Sequence, residues 1–563
     1  MKTFSELEYK RPDFAAEESA VRAYIEKLKT AENAEELRRI YCEEQTRSET
    51  FATMETIASI RNSINTTDDF YEKELELFYE KVPELVLLYQ RADRVILESP
   101  FREKFAEGLP QTLLADMEIN QKLASKEIVD DMAREARLSQ DYSKLSAGCT
   151  ADFRGEKCNF YGLLKYMQDT DRQTRKSAFQ AWADLYEQIA PQLDEIFDDM
   201  VHLRVKMAKK QGFGSYMDYR YAALHRYDYT PADAANFRRQ VKEIIVPICQ
   251  KEFEKQKERL GVDTLCYYDE ALYSPEGNAA PEGTPEELVE KANRMYHELS
   301  SQTGEFFDFM ERHKLFDLET KQGKRPGGYC TYLQKYHAPF IFSNFNGTSA
   351  DVDVLTHEAG HAFAAYESGK EGIIGDYIFA NNEVAEIHSM SMELIAYPWM
   401  KYFFGEKTEL YKKAHLTAAL TAIPYLVCVD EFQHRVYEEP LIGARERRQV
   451  WKELEQEYMP WRNYDGHPFM EEGGFWMQKQ HIFMFPFYYI EYALAQMGAF
   501  EFYGKFSKDR EAAWEDYYRL CRVGGNYGYF QLLEIAGLSN PFADGTVEKI
   551  MKEVEKALEE EAE

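Results

Sequence analysis

Hydrophobic residues recur at steps of three and four along most of the chain, with charged residues between them. In residues 69–89, for example, Phe70, Leu77 and Leu85 follow this spacing among acids and lysines. Such spacing places apolar side chains on one face of an α-helix. Three further segments show the same pattern and are predicted to be long helices: residues 170–211, 231–260 and 284–317. The chain is therefore predicted to be mostly α-helical.

A different pattern follows the glycine- and proline-rich break at residues 324–328. Residues 329–345 are rich in Tyr, Phe, Thr and Ile, which favour strands, and predict a small β-sheet. A second cluster of Gly and Pro at residues 274–284 predicts a surface loop. The most apolar run, residues 414–429, is shorter than the roughly 20 residues that cross a bilayer and is predicted to be a buried helix.

Composition and charge narrow the class of protein. A chain of 563 residues is too long to fold around a single small hydrophobic core, so several domains or one multi-lobed fold are expected. The 99 acidic residues outnumber 68 basic ones, and a net charge of −31 would repel a nucleic acid backbone. The eight cysteines form no CxxC pair, which indicates a reducing compartment. The first residues lack an apolar signal, so we expect a cytoplasmic protein with neither a membrane nor a nucleic acid partner.

The strongest chemical motif is His357-Glu358-Ala-Gly-His361, directly after the predicted sheet. It lies in a segment that predicts one helix, in which Thr348 or Ser349 caps the start and Gly369 takes the left-handed position at the end. On a helix, two histidines four residues apart project from one face, where both imidazoles can reach one metal ion. The motif therefore predicts a metal site.

Glu358 lies on the adjoining edge of the same helix. From there its carboxylate can reach a water held by the metal without binding the metal itself, as a general base must. Gly360 costs roughly 1 kcal/mol inside a helix, which indicates that another part of the chain packs closely against the backbone there.

The third metal ligand is expected just downstream, in residues 381–394, where asparagines can cap a second helix. Glu383, Glu386 and Glu393 share one face of this helix, whereas His388 points elsewhere. Spacing alone does not choose among the three acids.

HEAGH, followed by AEIHSMSME at residues 385–393, resembles the thimet oligopeptidase and oligoendopeptidase F group of zinc metallopeptidases, and within it the Pz-peptidase type. The resemblance covers most of the chain and is strongest at about residues 327–398 and 481–529. It implies that Glu386 joins His357 and His361 as a ligand of one zinc ion per chain. It also implies that Glu393 supports the site and that His388 packs beside it rather than binding metal.

The same resemblance implies the architecture: a two-lobed helical clamshell that encloses a deep channel, with the small sheet beside the zinc helix. An N-terminal helical lobe is expected at residues 1–200 and a catalytic lobe at residues 201–563. Within the catalytic lobe, the sheet is expected at about residues 327–346 and the zinc site at about residues 348–398.

Residues 481–492, taken alone, read as an aromatic core helix that begins at Pro486. The resemblance instead implies that His481 and Tyr492 hydrogen-bond the developing oxyanion and that Tyr489 binds substrate, with Tyr488 able to replace either tyrosine. The strand at residues 340–345 resembles the edge strand that pairs with an extended peptide in such enzymes.

These features predict a zinc-dependent oligoendopeptidase that hydrolyses internal bonds of short, unfolded peptides, with Glu358 as general base. One alternative is a zinc exopeptidase, either a dipeptidyl or a monocarboxypeptidase, which would need a cationic group for the terminal carboxylate. Another is a catalytically silent peptide-binding protein. The intact set of His357, Glu358, His361 and Glu386 argues against the second alternative.

Overall fold

The computed structural model describes residues 1–123 and 127–560, and it is mostly helical as predicted. The helices, in chain order, are α1 (Phe14–Lys29), α2 (Ala34–Ile64), α3 (Asp69–Glu98), α4 (Arg102–Ala106), α5 (Leu113–Leu123), α6 (Val129–Gly148), α7 (Phe160–Tyr166), α8 (Arg172–Lys210), α9 (Tyr216–Ala223), α10 (Pro231–Gln240), α11 (Val246–Leu260), α12 (Pro285–Leu299), α13 (Ser301–His313), α14 (Ala350–Lys370), α15 (Asn382–Ile395), α16 (Lys401–Phe404), α17 (Thr408–Glu438), α18 (Ala444–Tyr458), α19 (Pro468–Glu471), α20 (Gln480–Met484), α21 (Ile490–Lys508), α22 (Arg510–Val523), α23 (Tyr529–Ile535) and α24 (Thr546–Glu560). The strands are β1 (Ala151–Phe153), β2 (Glu156–Cys158), β3 (Phe316–Glu319), β4 (Tyr329–Leu333) and β5 (Ala338–Phe345).

The chain forms two compact units. Unit 1 consists of Met1–Gln121, Ala280–Thr408 and Glu501–Ser539, and unit 2 consists of Lys122–Ala279, Glu409–Phe500 and Asn540–Glu563. This division differs from the predicted one, because the expected boundary at residue 200 falls inside α8. Each unit is built from segments that are distant in sequence, and a single cut along the chain does not describe such units.

The long helices follow the predicted spacing of apolar residues, except that residues 284–317 form two helices, α12 and α13, interrupted at Ser300, and enter β3 at Phe316. The patterns at residues 170–211 and 231–260 form α8 and the pair α10 and α11, which a short π-helical turn, Val241–Ile245, joins. The apolar run at residues 414–429 lies within α17. Among the described residues, no helix combines the length and the apolar character that a bilayer crossing needs.

The predicted sheet forms in unit 1 from three strands in the order β3-β5-β4. Strand β5 lies in the centre, parallel to β3 and antiparallel to β4. The prediction that residues 340–345 form an edge strand is therefore wrong, because both sides of β5 are already hydrogen-bonded. Sequence reasoning missed three strands: β3 beside β5, and β1 and β2, which form a separate hairpin in unit 2. Each has only three or four residues. Such strands are too short to show an alternating pattern.

Helix α14 follows β5 directly and packs against β4, β5, α15 and α22. The side chain of Ser349 does not cap it; Asp351 instead accepts hydrogen bonds from the backbone N–H groups of Asn346 and Gly347 at 2.8 and 2.7 Å. The left-handed position after the helix belongs to Gly372, with φ of 75°, and not to Gly369. Gly369 lies inside the helix, where the hydroxyl of Tyr332 fills the space of a side chain.

Candidate active site

Helices α14 and α15 of unit 1 carry the predicted metal ligands and lie unusually close together. A Cβ atom on Gly360 of α14 would stand 2.6 Å from the carbonyl oxygen of His388 and 2.7 Å from Cα of Ser389, both on α15. The predicted close packing at Gly360 is therefore confirmed. Because only glycine fits there, the backbones of the two helices touch, and this contact sets the distance between the residues they carry.

His357, His361 and Glu386 come together across this helix pair. Each offers one ligand atom, and the three atoms lie within 4.8 Å of one another. Oε2 of Glu386 is 3.3 Å from Nε2 of His357 and 3.6 Å from Nε2 of His361. Glu386 is held in turn by Ser389, whose hydroxyl donates to Oε2 at 3.1 Å. Of the three acids that spacing left open, Glu386 is the one that faces both histidines through their Nε2 atoms.

Glu393 contacts His357 from the opposite side of the ring. Its Oε1 lies 2.6 Å from Nδ1 of His357. A carboxylate at one ring nitrogen fixes the tautomer and the orientation of the imidazole, which leaves the other nitrogen as a lone-pair donor for a metal. Glu393 thus lies where a residue that supports a ligand would lie.

Burial and charge act in opposite directions on these groups. Burial alone lowers the pKa of His357, but hydrogen bonds with Glu386 and Glu393 raise that pKa well above its ordinary value. Burial would raise the pKa of Glu386, yet the hydrogen bond with His357 holds it below its ordinary value. Burial lowers the pKa of His361 to about 4, because the opposing charges of Glu386 and Glu393 do not offset it.

The carboxyl group of Glu358 is buried beside this cluster, with the residue only 7% exposed. Burial, opposed by the charge of His357, raises the pKa of Glu358 to about 7. Within the described part of the chain, no group donates a hydrogen bond to its Oε2. A buried carboxyl oxygen without a partner costs free energy, so its position is explained best by a molecule that it meets during function.

The residues present fit a divalent metal ion. Two imidazole nitrogens and one carboxylate oxygen converge, as in a catalytic zinc site that keeps a further position open. Glu358 is not one of these three residues, and its Oε2 has no hydrogen-bond partner among the described residues. A general base beside the metal would need such a carboxyl oxygen. This donor set therefore suits zinc.

His388 is held away from the ligand cluster. Its carbonyl oxygen accepts a hydrogen bond from the hydroxyl of Tyr517 at 2.8 Å, and its ring meets the ring of Tyr517 edge-on. The residue is 2% exposed, and burial lowers the pKa of its imidazole to about 3. His388 lies in the packing between α15 and α22, as the family resemblance implied.

The remaining predicted site residues lie in unit 2. Residues 485–492, here called the tyrosine turn, follow α20 and include the first three residues of α21. The ring of His481 lies 4.8 Å from that of Tyr489 and 6.5 Å from that of Tyr492, and Tyr488 lies 5.3 Å from Tyr492. The prediction of a helix that begins at Pro486 is wrong: α21 begins at Ile490, because Phe487 has φ of 62° and interrupts any helix.

Sequence reasoning missed two contributors to these groups. Gly328, just before β4, lies so close to Glu358 that a Cβ atom there would stand 3.5 Å from its Oε1. The two consecutive glycines at residues 327–328 are the sequence signal that could have indicated this close contact between the backbone and Glu358. Arg226 and Glu491 form a buried ion pair beneath the tyrosine turn, and no local pattern announces a pair 265 residues apart.

Replacing Gly360 by Ala should destabilise the metal helix pair. The added methyl group would overlap the backbone of α15, and overpacking of this kind costs about 1–3 kcal/mol. We expect a lower thermal midpoint and weaker metal binding, measured by calorimetry and by competition with a chromogenic chelator. Gly148→Ala is the control, because a Cβ atom there meets open space. Equal effects of the two substitutions would contradict the steric explanation.

Comparison with known proteins agrees with this geometry. The model of Peptidase family M3 matches residues 165–552, and that of the Peptidase M3 N-terminal domain matches residues 4–124. The Group B oligopeptidase PepB of Streptococcus agalactiae is 24% identical over 452 residues, which are 75% of this chain and 71% of the relative.

Solved structures extend the similarity over nearly the whole chain. Pz peptidase A, determined with an inhibitor, is 42% identical with a TM-score of 0.93, and the match covers 99% of each chain. A Bacillus anthracis structure described as an oligoendopeptidase F is 40% identical with a TM-score of 0.88, covering 100% of this chain and 98% of that one. With its family model matched across the metal helix pair, the chain belongs to peptidase family M3 and is a metallopeptidase.

Proposed function

We propose that this peptidase is a zinc-dependent oligoendopeptidase that hydrolyses internal bonds of short, unfolded peptides. The observation that carries the proposal is the convergence of His357, His361 and Glu386 next to the buried, unpartnered carboxyl of Glu358. Relatives described as an oligopeptidase and as an oligoendopeptidase F support the substrate class. The acidic composition and the dispersed cysteines support a cytoplasmic enzyme that acts on peptides and not on nucleic acid.

His357, His361 and Glu386 would hold one zinc ion per chain. When bound, zinc supplies Lewis-acid chemistry: it polarises a carbonyl group and lowers the pKa of water. Glu393 fixes the ring of His357 through Nδ1, so that Nε2 stays available as a ligand. The contact between Gly360 and His388 keeps the two ligand-bearing helices at constant spacing.

Glu358 is the proposed general base. Its Oε2 has no donor among the described residues, so it is available to accept a proton from the attacking water. The same carboxyl can then deliver that proton to the leaving nitrogen of the cut peptide bond. Burial supports this role, because a carboxyl group with a raised pKa holds a proton long enough to pass it on.

Strand β4 is the proposed partner of the substrate backbone. It lies at the edge of the sheet, and its first residues follow the exposed pair Gly327 and Gly328, of which Gly328 approaches Glu358. A peptide added to this edge would be bound through hydrogen bonds of its main chain, and the enzyme would therefore accept many different peptide sequences. Only an extended chain can pair in this way, so a folded protein would be excluded.

His481 and Tyr492 are proposed to stabilise the oxyanion, and Tyr489 to bind substrate. The grouping of these rings around the tyrosine turn supports a shared role. Replacing Tyr492 by Phe removes one hydroxyl donor and should lower kcat by about 10²- to 10³-fold, with little change in KM. Steady-state kinetics check this, and Tyr488→Phe serves as the comparison. A larger loss in Tyr488→Phe would transfer the assignment to Tyr488.

The decisive experiment uses an internally quenched peptide of about ten residues, blocked at both ends, with zinc, with a chelator and with zinc restored. We expect internal cleavage that stops on chelation and returns with zinc. Cleavage of the free peptide alone would indicate the exopeptidase, since a blocked end denies it the terminal carboxylate. Binding without any cleavage after zinc is restored would indicate a silent peptide-binding protein.

A further inference from the structure

The backbone of the tyrosine turn is held from below by buried side chains of unit 2. Nη2 of Arg226 donates to the carbonyl oxygen of Phe487 at 2.6 Å and to Oε1 of Glu491 at 2.8 Å. The side chains of Arg226 and Glu491 are each only 1% exposed. One guanidinium group thus joins the two ends of the span that contains Tyr488 and Tyr489 and precedes Tyr492.

Phe487 adopts an unusual backbone conformation at this point. Its φ of 62° lies in the left-handed region, which bulky side chains rarely adopt. The backbone N–H of Phe487 donates to Oε1 of Gln433 at 3.1 Å, while its carbonyl accepts from Arg226. The ring of Phe487 is fully buried against His434 and Tyr437. The strained conformation is therefore imposed on both sides of the residue.

Two further arginines bind the chain just before this point. Arg220 donates to the carbonyl oxygen of Pro486 at 3.0 Å, and the buried Arg204 donates to that of Phe483. Phe483, Pro486 and Phe487 are all buried, so their carbonyl groups need donors from the protein, which the three arginines supply. Arg226 differs from the other two, since it alone also pairs with an acid in the first turn of α21.

We propose that the buried pair Arg226 and Glu491 is a positioning device that sets the orientation of the Tyr492 hydroxyl by holding Phe487 in its left-handed conformation. The inference rests on the proposed role of Tyr492. Glu491 lies one residue before Tyr492 at the start of α21, so the pair fixes the direction in which that helix begins. Neither Arg226 nor Glu491 contacts substrate in this scheme.

The test is a double-mutant cycle between Glu491→Gln and Tyr492→Phe, measured as kcat and KM on the blocked peptide. Misplacement of a catalytic group by about 1 Å costs up to roughly 100-fold, so we expect Glu491→Gln to lower kcat by about 10- to 100-fold with KM within about threefold. In the Tyr492→Phe background, the same change should cost less than about twofold, since the hydroxyl that it positions is already absent.

Folding is controlled separately. Arg226→Gln combined with Glu491→Gln leaves no lone buried charge and should fold while showing the same loss of kcat. Asp269→Asn, which breaks the buried ion pair with Arg175 elsewhere in unit 2, should lower the thermal midpoint and leave kcat unchanged. A loss of kcat in Asp269→Asn equal to that in Glu491→Gln would reduce the effect to general stability and overturn the inference.

The outcomes separate the two proposals. If Tyr492→Phe retains full turnover, the assignment of Tyr492 falls, and the inference falls with it. If Tyr492→Phe loses turnover but Glu491→Gln does not, or if the two losses multiply, the assignment of Tyr492 stands and only the positioning role of Arg226 and Glu491 is rejected.

Discussion

Replacing Glu358 by Gln is expected to lower kcat by about 10³-fold, within the range of roughly 10² to 10⁴ that general acid–base catalysis contributes. Gln keeps the shape of the side chain but cannot accept a proton from water. The three ligand residues are untouched, so the variant should retain one metal ion per chain. Steady-state kinetics on the blocked peptide measure the loss of kcat, and metal analysis of the same sample shows whether the metal ion is retained.

The stability of this variant gives a second readout. A buried carboxyl oxygen without a partner destabilises the fold, so a neutral amide at residue 358 should leave the thermal midpoint unchanged or raise it. Glu367→Gln is the matched control, because Glu367 is also buried on α14 but accepts a hydrogen bond from Tyr518 at 2.9 Å. That variant should lose stability and keep its turnover. A fully active Glu358→Gln enzyme with bound metal would remove Glu358 from the mechanism.

Replacing Glu386 by Gln should abolish tight metal binding. Loss of a residue that only supports a ligand costs about 10- to 100-fold in metal affinity, and loss of a ligand carboxylate should exceed the upper value. Turnover should fall in parallel at limiting zinc. Equilibrium competition with a chromogenic chelator measures the affinity directly, without relying on catalysis.

Glu383→Gln provides the comparison for this prediction. Glu383 lies one turn earlier on α15 and is also buried, but it is not part of the group of converging ligand atoms. Its variant should bind zinc as the unmodified protein does. Stronger loss of zinc in Glu383→Gln than in Glu386→Gln would exchange the roles of the two acids.

The metal helix pair was largely predictable because its information is local. Spacing of four residues puts His357 and His361 on one helical face, and Gly360 signals the close neighbour that the structure identifies as α15. The choice of Glu386 over Glu383 and Glu393 was not local. It depends on how α15 is rotated against α14, which only tertiary packing determines.

Two other predictions failed because contacts between residues distant in sequence determine the structure there: the position of β5 in its sheet and the first residue of α21. The amino-acid composition of β5 does not show whether the strand lies at the edge or in the centre of its sheet. Its hydrogen bonds with both β3 and β4 show that it is central. The start of α21 was misplaced because Pro486 is a good first helical residue, whereas buried contacts with Gln433 and Arg226 hold Phe487 outside the helical region. In both cases tertiary contacts, and not the local preference of the residues, determine the observed structure.

The proposed metal ligands and the acid proposed to support them lie close together in sequence, since His357 and Glu393 are only 36 residues apart. Closing a loop of that length costs little chain entropy compared with joining the distant segments that make up unit 1. The pair of helices α14 and α15 can therefore form early as the chain folds, because its mutual contacts are local in sequence. Metal binding at the proposed site would then be coupled to a local folding step and would not need the distant segments of unit 1 to be in place.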